Sequence, residues 1–274
     1  MCGSLIYGTI SFIITSFRTK YAICLGYHMA LSKPILVLTG ASRGIGHATV
    51  KRFSEEGWRV ITCSRHAFPD NCPWPAGAED HLQIDLGNPI SIENGVKELL
   101  DRLDGQPLNA LVNNAGISPK LENQNRMDSL RTPMEVWHEV FQVNFFAPIM
   151  LARGLAESLK KGPGSIVNVT SIAGSRVHSF AGTAYATSKA ALAALTREMA
   201  SDFGPLGVRV NAIAPGEIRT NIISPETEKI LAPEIPLRRL GTTTEVADTI
   251  FYLCSETAQY VHGAEIHING GQHV

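Results

Sequence analysis

The sequence lacks the features that mark several large classes of protein. Its 274 residues carry a formal net charge of -1, and no run of lysine or arginine is long enough to form a stripe for nucleic acid. The five cysteines form no CxxC pair and the nine histidines form no HExxH array, so no metal site is predicted. We therefore expect a small-molecule partner and, from the scattered cysteines, a reduced, cytoplasmic location.

The head of the chain also lacks acidic residues, since none occurs before Glu55. Its longest apolar run is shorter than the roughly 20 residues that a membrane-spanning helix needs. The segment has few arginines and no clear cleavage site, which fits an organelle-targeting peptide poorly, and its charges follow the apolar stretch, which fits a secretory signal poorly. An extension upstream of a start near Met29 and a targeting segment both remain open. We predict an N-terminal extension of undetermined role over residues 1–32, no membrane span, and one domain over residues 33–274.

From Pro34 onward, short apolar runs alternate with longer helical patterns. Helices are predicted at about 45–56, 90–103, 134–160, 182–203 and 244–255. The alternation predicts an α/β, doubly wound Rossmann fold, because parallel strands need crossover connections and apolar strands are buried on both faces. The seven runs that form its single seven-stranded parallel sheet are ILVLT, WRVITC, HLQID, LNALVN, SIVNV, VRVNAI and EIHIN.

Two helix starts carry capping patterns. In TPME, Thr132 is predicted to cap the helix while Glu135 reaches back to it, and TTTE at 242–245 offers Thr242 and Glu245 in the same arrangement.

A glycine-rich loop, TGASRGIG at 39–46, joins the first strand to an amphipathic helix. Gly40, Gly44 and Gly46 permit a tight turn, close approach of a ligand and close packing of helix on strand. The helix N-terminus then suits a pyrophosphate. The spacing is GxxxGxG rather than GxGxxG, so the loop has the physical features of a dinucleotide-binding loop but not the exact sequence motif.

The end of the second strand indicates which dinucleotide binds. An NAD site usually offers a carboxylate to the ribose there, but this strand ends ITCSRH and has none. Arg65 stands at that position and Arg43 lies in the glycine loop. Both can pair with a 2'-phosphate, which favours NADP(H) over NAD(H), although both can also be ordinary solvated arginines.

Tyr185 and Lys189 lie four residues apart on one predicted helix, AYATSKAALAAL, and so share a face. A phenol is a poor acid at neutral pH unless a positive charge stabilises its anion. A neighbouring ammonium therefore fits a tyrosine that transfers a proton to or from a carbonyl oxygen. Ser171 ends the strand SIVNV at the sheet edge where such folds bind ligands, and its hydroxyl can orient the substrate or merely cap a turn.

These motifs together resemble those of a classical member of the short-chain dehydrogenase/reductase family. The resemblance covers essentially all of residues 34–274, and the chain is similar to the 3-oxoacyl-[acyl-carrier-protein] reductases and to sugar or ketone reductases. It rests on six motifs in the family's order: TGASRGIG, NNAG at 113–116, VNFF at 143–146, TSIAG at 170–174, YATSK at 185–189 and APGEIRT at 214–220.

The resemblance implies roles for four residues. Tyr185 is expected to be the catalytic acid/base, Lys189 to bind the nicotinamide ribose and lower the pKa of Tyr185, and Ser171 to orient the substrate carbonyl. Asn144 is expected to hold a water that links Lys189 to solvent. The residues expected to contact the cofactor are Gly40, Ser42, Arg43, Gly44, Ile45, Gly46, Ser64, Arg65, Asp85, Leu86, Asn114, Ala115, Gly116, Tyr185, Lys189, Pro215, Gly216, Ile218 and Thr220.

The chain departs from the family pattern in three places. Ser171 and Tyr185 are about one residue further apart than expected, the polar loop 118–133 has no counterpart in the simplest members, and 221–240 replaces the variable substrate lid. The helices of Asn144 and Tyr185 are apolar on more than one face, and the resemblance implies a homotetramer or homodimer.

A carbonyl/alcohol oxidoreductase is the preferred hypothesis. The alternative is a catalytically silent dinucleotide-binding regulatory protein. The glycine spacing and the lack of an added C-terminal domain disfavour an epimerase or dehydratase.

Overall fold

The structure, a computed structural model, describes residues 33–68, 78–122, 125–220 and 225–274. Residues Pro34–Val274 form one compact unit, and the predicted extension over 1–32 lies outside the described residues. In chain order the elements are β1 (Ile35–Thr39), α1 (Gly44–Glu55), β2 (Arg59–Ser64), β3 (His81–Gln83), α2 (Pro89–Leu103), β4 (Ala110–Asn113), α3 (Met134–Phe141), α4 (Ala147–Lys160), β5 (Ser165–Val169), α5 (Thr183–Phe203), β6 (Arg209–Pro215), β7 (Ile218–Arg219), α6 (Pro225–Leu231), β8 (Gly241–Thr242), α7 (Thr243–Cys254) and β9 (Glu265–Ile268).

Seven strands form one sheet in the order β3-β2-β1-β4-β5-β6-β9. Every pair in it is parallel. The order reverses between β1 and β4, so the carboxyl ends of these strands open a crevice at the position where open α/β sheets bind ligands. The predicted seven-stranded, doubly wound fold is confirmed.

Helices cover both faces of the sheet because successive strand residues point to opposite sides. Ile35 and Val37 of β1 belong to the core cluster that contains residues of α2, α4 and α5. Leu36 and Leu38 belong to the other cluster, which contains residues of α1 and α7. All five residues of β1 are buried, which explains why its sequence is apolar at consecutive positions.

The helix predicted over 134–160 is interrupted by a π-helical turn, Gln142–Phe146, between α3 and α4. Such turns are rare and are frequent at functional sites. This one contains Asn144, whose side chain is fully buried. The sequence pattern predicts the helix but not the interruption.

One of the two predicted helix caps is confirmed and the other is wrong. The hydroxyl of Thr242 accepts a hydrogen bond from the Glu245 N–H at 3.2 Å, and the Glu245 carboxylate accepts one from the Thr242 N–H at 2.8 Å. Thr132 instead donates its hydroxyl to the backbone oxygen of Asp128. Helix α3 therefore begins at Met134 without a side-chain cap.

Two features near the sheet edge were not predicted. Strands β7 and β8 pair in parallel as a separate two-stranded sheet, and the short helix α6 lies in the segment between them. Within the described residues, no helix combines the length and the apolar character that crossing a membrane requires.

Candidate active site

The glycine-rich loop lies at the crevice between β1 and β4. Gly40 and Gly44 have φ values of 70° and 57°, which favour glycine over residues with a Cβ. A Cβ on Gly46 would lie 2.1 Å from the oxygen of Gly40, and one on Gly40 would lie 2.8 Å from the Cα of Ala115. The loop is therefore a close-packed turn that only glycine permits at these positions.

Asn114, the residue directly after β4, holds this loop in place. Its Nδ2 donates hydrogen bonds to the backbone oxygens of Thr39 and Gly40 at 3.1 and 2.9 Å. The Thr39 hydroxyl accepts hydrogen bonds from the N–H groups of Asn114 and Ala115, each at 3.1 Å. The two predicted motifs, TGASRGIG and NNAG, are thus joined into one rigid unit.

The N-terminus of α1 faces the loop without a side-chain cap. The first N–H groups of a helix have no partner within it and carry partial positive charge. Helices α2 and α7 are capped by Asn88 and Thr242. The uncapped end, the tight glycines and the adjacent crevice fit a dinucleotide pyrophosphate.

The predicted adenosine end lies beside β2 and β3. Arg43 and Arg65 are exposed, and neither side chain has a hydrogen bond or ion pair to the described residues. The Ser64 hydroxyl donates to the backbone oxygen of His66 at 2.8 Å. Asp85 is exposed and accepts a hydrogen bond from the Gly87 N–H at 2.9 Å, while Leu86 is buried.

A cleft of about 340 Å³, here called the central cleft, joins the loop to the predicted catalytic residues. Nine of the predicted site residues line it. Twelve do not: Gly40, Ser42, Arg43, Gly44, Gly46, Ser64, Arg65, Asp85, Leu86, Ala115, Asn144 and Thr220. Thr220 lies beside the loop, with its Cγ2 3.7 Å from a Cβ placed on Gly44. The lining residues are Ile45, Asn114, Gly116, Ser118, Val169, Thr170, Ser171, Tyr185, Lys189, Pro215, Gly216, Glu217 and Ile218.

Tyr185 and Ser171 meet in this cleft. Ser171 lies just after β5 and accepts a hydrogen bond from the Ala173 N–H at 3.2 Å, so it also caps the short turn Ile172–Gly174. Burial raises the pKa of Tyr185, a hydrogen bond with Ser171 lowers it, and the negative charge of Glu217 raises it. The phenol is therefore protonated at neutral pH.

Lys189 is buried one helical turn from Tyr185. Its Nζ lies 5.8 Å from the centre of the Tyr185 ring and donates a hydrogen bond to the backbone oxygen of Val169 at 2.7 Å. Burial lowers the pKa of Lys189 to about 8. For Tyr185, burial outweighs the hydrogen bond with Ser171, and the lowering of the Tyr185 pKa by Lys189 stays a prediction.

Asn144 connects α5 to the loop after β4. Its Oδ1 accepts from the Ile117 N–H at 2.8 Å, and its Nδ2 donates to the Ile117 oxygen and the Ser188 hydroxyl, each at 3.0 Å. A Cβ on Gly116 would lie 3.3 Å from both Asn144 Oδ1 and Lys189 Nζ. The space beside Gly116 therefore borders both polar atoms.

Sequence reasoning did not select Ser118, Val169, Thr170 and Glu217, which also line the central cleft. Of these, Glu217 carries charge. It lies within the motif APGEIRT, directly after Gly216. An acidic residue between residues expected to contact the cofactor was the feature of the sequence that could have identified it. The Glu217 carboxylate accepts a hydrogen bond from His178 Nε2 at 2.8 Å.

Comparison with known proteins identifies the family of this chain. Residues 40–273 match the family model described as enoyl-(acyl carrier protein) reductase. The chain is 60% identical over 241 residues to protein FixR of Bradyrhizobium diazoefficiens, covering 88% of this chain and 87% of FixR. It is 32% identical over 255 residues to the 3-oxoacyl-[acyl-carrier-protein] reductase FabG of Aquifex aeolicus, covering 88% and 98%.

A solved structure is also similar. The short-chain dehydrogenase/reductase family oxidoreductase of Brucella ovis, in complex with a partially ordered NAD, is 64% identical, with a TM-score of 0.76 over 86% of this chain and all of that one. The fold agrees with these matches. This chain therefore belongs to the short-chain dehydrogenase/reductase family of oxidoreductases.

Proposed function

We propose that this protein is an NADP(H)-dependent oxidoreductase that interconverts a carbonyl and a secondary alcohol with Tyr185 as acid/base. The observation that carries the proposal is the meeting of Tyr185, Ser171 and Lys189 in a cleft that Ile45 of the glycine loop also lines. Proton transfer and dinucleotide binding are thereby available at adjoining positions.

The residues that would hold the dinucleotide differ in what they offer. The glycine loop and the uncapped N-terminus of α1 suit its pyrophosphate. Arg43 and Arg65, which have no side-chain partner among the described residues, suit a 2'-phosphate. When bound, the nicotinamide supplies or accepts the hydride. The NAD in the Brucella ovis relative makes the choice between NADPH and NADH a direct experimental question.

In the reductive direction, Tyr185 gives its proton to the substrate oxygen. Burial keeps the Tyr185 pKa raised, so the proton is present when the carbonyl needs it. Ser171 lies within hydrogen-bonding contact of the phenol and orients the same oxygen. In the reverse direction, the phenolate accepts the proton of the alcohol.

Lys189 and Asn144 border the path by which a proton from solvent would return to Tyr185. Lys189 retains its charge below its pKa of about 8 and attracts the phenolate electrostatically. Asn144 Oδ1 has a second lone pair in addition to the one that accepts from Ile117. A water beside Gly116 would contact both groups and complete the relay.

Replacing Tyr185 with Phe tests the proposal, because it removes the proton donor and keeps the ring. We expect turnover with NADPH and a panel of carbonyl substrates to fall about 10³-fold, while cofactor binding measured by fluorescence titration stays within about twofold. Tyr260→Phe is the control, since Tyr260 is fully exposed. Unchanged turnover would reject the role of Tyr185, and NADPH binding without any turnover by the native protein would favour the regulatory alternative.

The oligomeric state and location stay proposals. Met134 and Phe146, near the π-helical turn, are 59% and 47% exposed, which supports burial of this surface in a homodimer or homotetramer. Analytical ultracentrifugation tests it. Cys63 and Cys254 are free and buried, in keeping with the predicted cytoplasmic location.

A further inference from the structure

Glu217, which lines the central cleft, forms a hydrogen-bonded pair with His178. Glu217 lines the cleft, and its negative charge reaches Tyr185, whose pKa it raises. Such a charge opposes formation of the phenolate, and burial, the largest cause of the raised pKa, already keeps the phenol protonated, so proton transfer does not require Glu217. The side chains of Glu217 and His178 are only 15% and 19% exposed. The pair is therefore a largely desolvated feature of the substrate space.

The backbone of Glu217 is held on both sides. Its N–H donates to Gln272 Oε1 at 3.2 Å, and its carbonyl oxygen accepts from the Gly241 N–H at 2.9 Å. These contacts come from the C-terminal segment and from β8. Glu217 is thus fixed before any substrate binds, which is the property that a recognition group requires.

The hydrogen bonds of His178 define which of its nitrogens carries the proton. Nδ1 accepts from the Phe180 N–H at 3.3 Å, so it is the unprotonated nitrogen. Nε2 therefore carries the hydrogen and donates it to Glu217 Oε1 at 2.8 Å. A neutral imidazole leaves the full negative charge on the carboxylate, and it orients that carboxylate.

Three further groups bear on recognition at Glu217: its own Oε2, Lys120 and Ser118. The second carboxylate oxygen of Glu217, Oε2, accepts no hydrogen bond from the described residues. Lys120 is half-buried; burial lowers its pKa, and the charge of Glu217 opposes that lowering. Ser118, two residues before Lys120, lines the cleft. The cleft thus combines an oriented acceptor, unused by the described residues, with the polar side chain of Ser118, and the charge of Lys120 interacts with Glu217.

We propose that Glu217, oriented by His178, determines substrate specificity by accepting a hydrogen bond from a hydroxyl or ammonium group that the carbonyl substrate carries close to its reacting carbon. This inference rests on the proposed function and names its substrate class. The preferred substrates are hydroxylated or aminated carbonyl compounds, and unsubstituted hydrocarbon ketones and carboxylated ketones are disfavoured.

The expected discrimination follows from the cost of leaving this acceptor unpaired. A substrate without a donor displaces water from the carboxylate and returns no hydrogen bond, which lowers kcat/KM about 10- to 100-fold. A carboxylated substrate adds repulsion between two negative charges, although Lys120 opposes this. The protein should therefore prefer a substrate with a hydrogen-bond donor over a substrate of the same size and shape without one.

Butanone, hydroxyacetone and aminoacetone form a matched set, since they share one skeleton and differ only in the terminal group. Pyruvate supplies the carboxylated arm, and longer homologues move the donor one carbon further. The measurement is kcat/KM for each compound with NADPH. For the native protein we expect hydroxyacetone, aminoacetone or their homologues to exceed the matched ketone at least about 10-fold.

Glu217→Gln makes the test sharper. His178 Nε2 must still meet an oxygen, so the amide nitrogen replaces Oε2 and the acceptor becomes a donor. We expect the donor-to-isostere ratio of kcat/KM to fall to within about threefold of unity. The control is Glu157→Gln on α4, whose side chain is 82% exposed and which should keep the native ratio. Fluorescence titration with NADPH verifies that each variant is folded.

His178→Phe provides a second variant, because it removes the orienting hydrogen bond and leaves the carboxylate. It should lower the same ratio. Three outcomes would overturn the inference and leave the proposed oxidoreductase function intact. They are equal kcat/KM of the native protein for butanone and hydroxyacetone, a preference for pyruvate, and a donor-to-isostere ratio in Glu217→Gln equal to that of the native protein. Absence of turnover on every carbonyl of the panel would overturn both.

Discussion

The buried Nζ of Lys189 donates a hydrogen bond to the backbone oxygen of Val169, the last residue of β5, at 2.7 Å. The lysine is 3% exposed and has no carboxylate partner among the described residues. Burial lowers the pKa of Lys189 from 10.5 to about 8. The fold therefore holds a cation where it reduces stability, and the proposed function gives a reason for its presence.

Lys189→Met should stabilise the protein at neutral pH. A lowered pKa means that the unfolded chain binds more protons than the native one between about pH 8 and 10.5. The destabilisation by Lys189 is thus complete below that window and is lost as pH rises through it. It amounts to about 3 kcal/mol, from which the lost hydrogen bond subtracts about 1 kcal/mol.

The measurement is urea unfolding of both proteins at neutral pH and near the upper end of that window. We expect Lys189→Met to be more stable by about 2 kcal/mol at neutral pH, with the difference lost at high pH. Lys161→Met is the control, because Lys161 also donates to a backbone oxygen but is exposed. A variant less stable at neutral pH would contradict the assignment of a charge penalty to Lys189.

Arg43 and Arg65 should decide the choice of cofactor. Replacing either by Ala removes one charged partner of a 2'-phosphate, so the Kd of NADPH should rise about 10-fold while that of NADH changes less than about twofold. Fluorescence titrations measure both. Lys51→Ala on α1 is the control for general loss of charge, since its side chain is 60% exposed. Tighter binding of NADH by the native protein would refute the NADP(H) preference.

Gly116→Ala should impair turnover more than folding. The new methyl group would lie 3.3 Å from both Asn144 Oδ1 and Lys189 Nζ, where it would exclude the bridging water of the proposed relay. We expect kcat to fall about 10-fold, within the range for loss of proton transfer, with a change in unfolding free energy below about 1 kcal/mol. Gly182→Ala is the control, because its Cβ would meet neighbours at an ordinary 3.6 Å. Native kcat in Gly116→Ala would argue against the relay.

Thr242→Ala should destabilise the protein by about 1 kcal/mol, since it removes the cap of α7. Its hydroxyl accepts from the Glu245 N–H, and the capping box is complete. Thr244→Ala is the matched control, because Thr244 lies on the same first turn and is exposed. Thermal unfolding monitored by circular dichroism compares the two. Equal destabilisation by both substitutions would show that general helix propensity, and not the cap, is responsible.

The two capping patterns show why local sequence is an incomplete guide. TTTE forms its capping box, but in TPME the hydroxyl of Thr132 bonds to Asp128 instead. Both threonines have a hydroxyl that could accept a hydrogen bond from a helix N–H. The hydroxyl of Thr242 does so, whereas that of Thr132 donates to the backbone oxygen of Asp128. The preceding loop decides that choice, and its path depends on contacts such as that of the Thr183 N–H with the Met127 oxygen.

The interrupted helix is a second case. An uninterrupted pattern over 134–160 predicts one helix, yet the π-helical turn Gln142–Phe146 breaks its regular bonding. Asn144 there bonds to Ile117 and Ser188, which lie on other elements. Partners so distant along the chain leave no periodic signal in the segment itself.

By itself, the sequence determined the strands of the parallel sheet, the glycine loop and the helix that carries Tyr185 and Lys189. These follow from hydrophobic period, from the absence of a Cβ and from a four-residue spacing, all of which act within a few residues. Only the tertiary structure decided that Glu217 and His178 meet beside Tyr185, and that burial governs the pKa values of Tyr185 and Lys189. Contacts and desolvation of this kind depend on which distant segments pack together, and no local pattern encodes that.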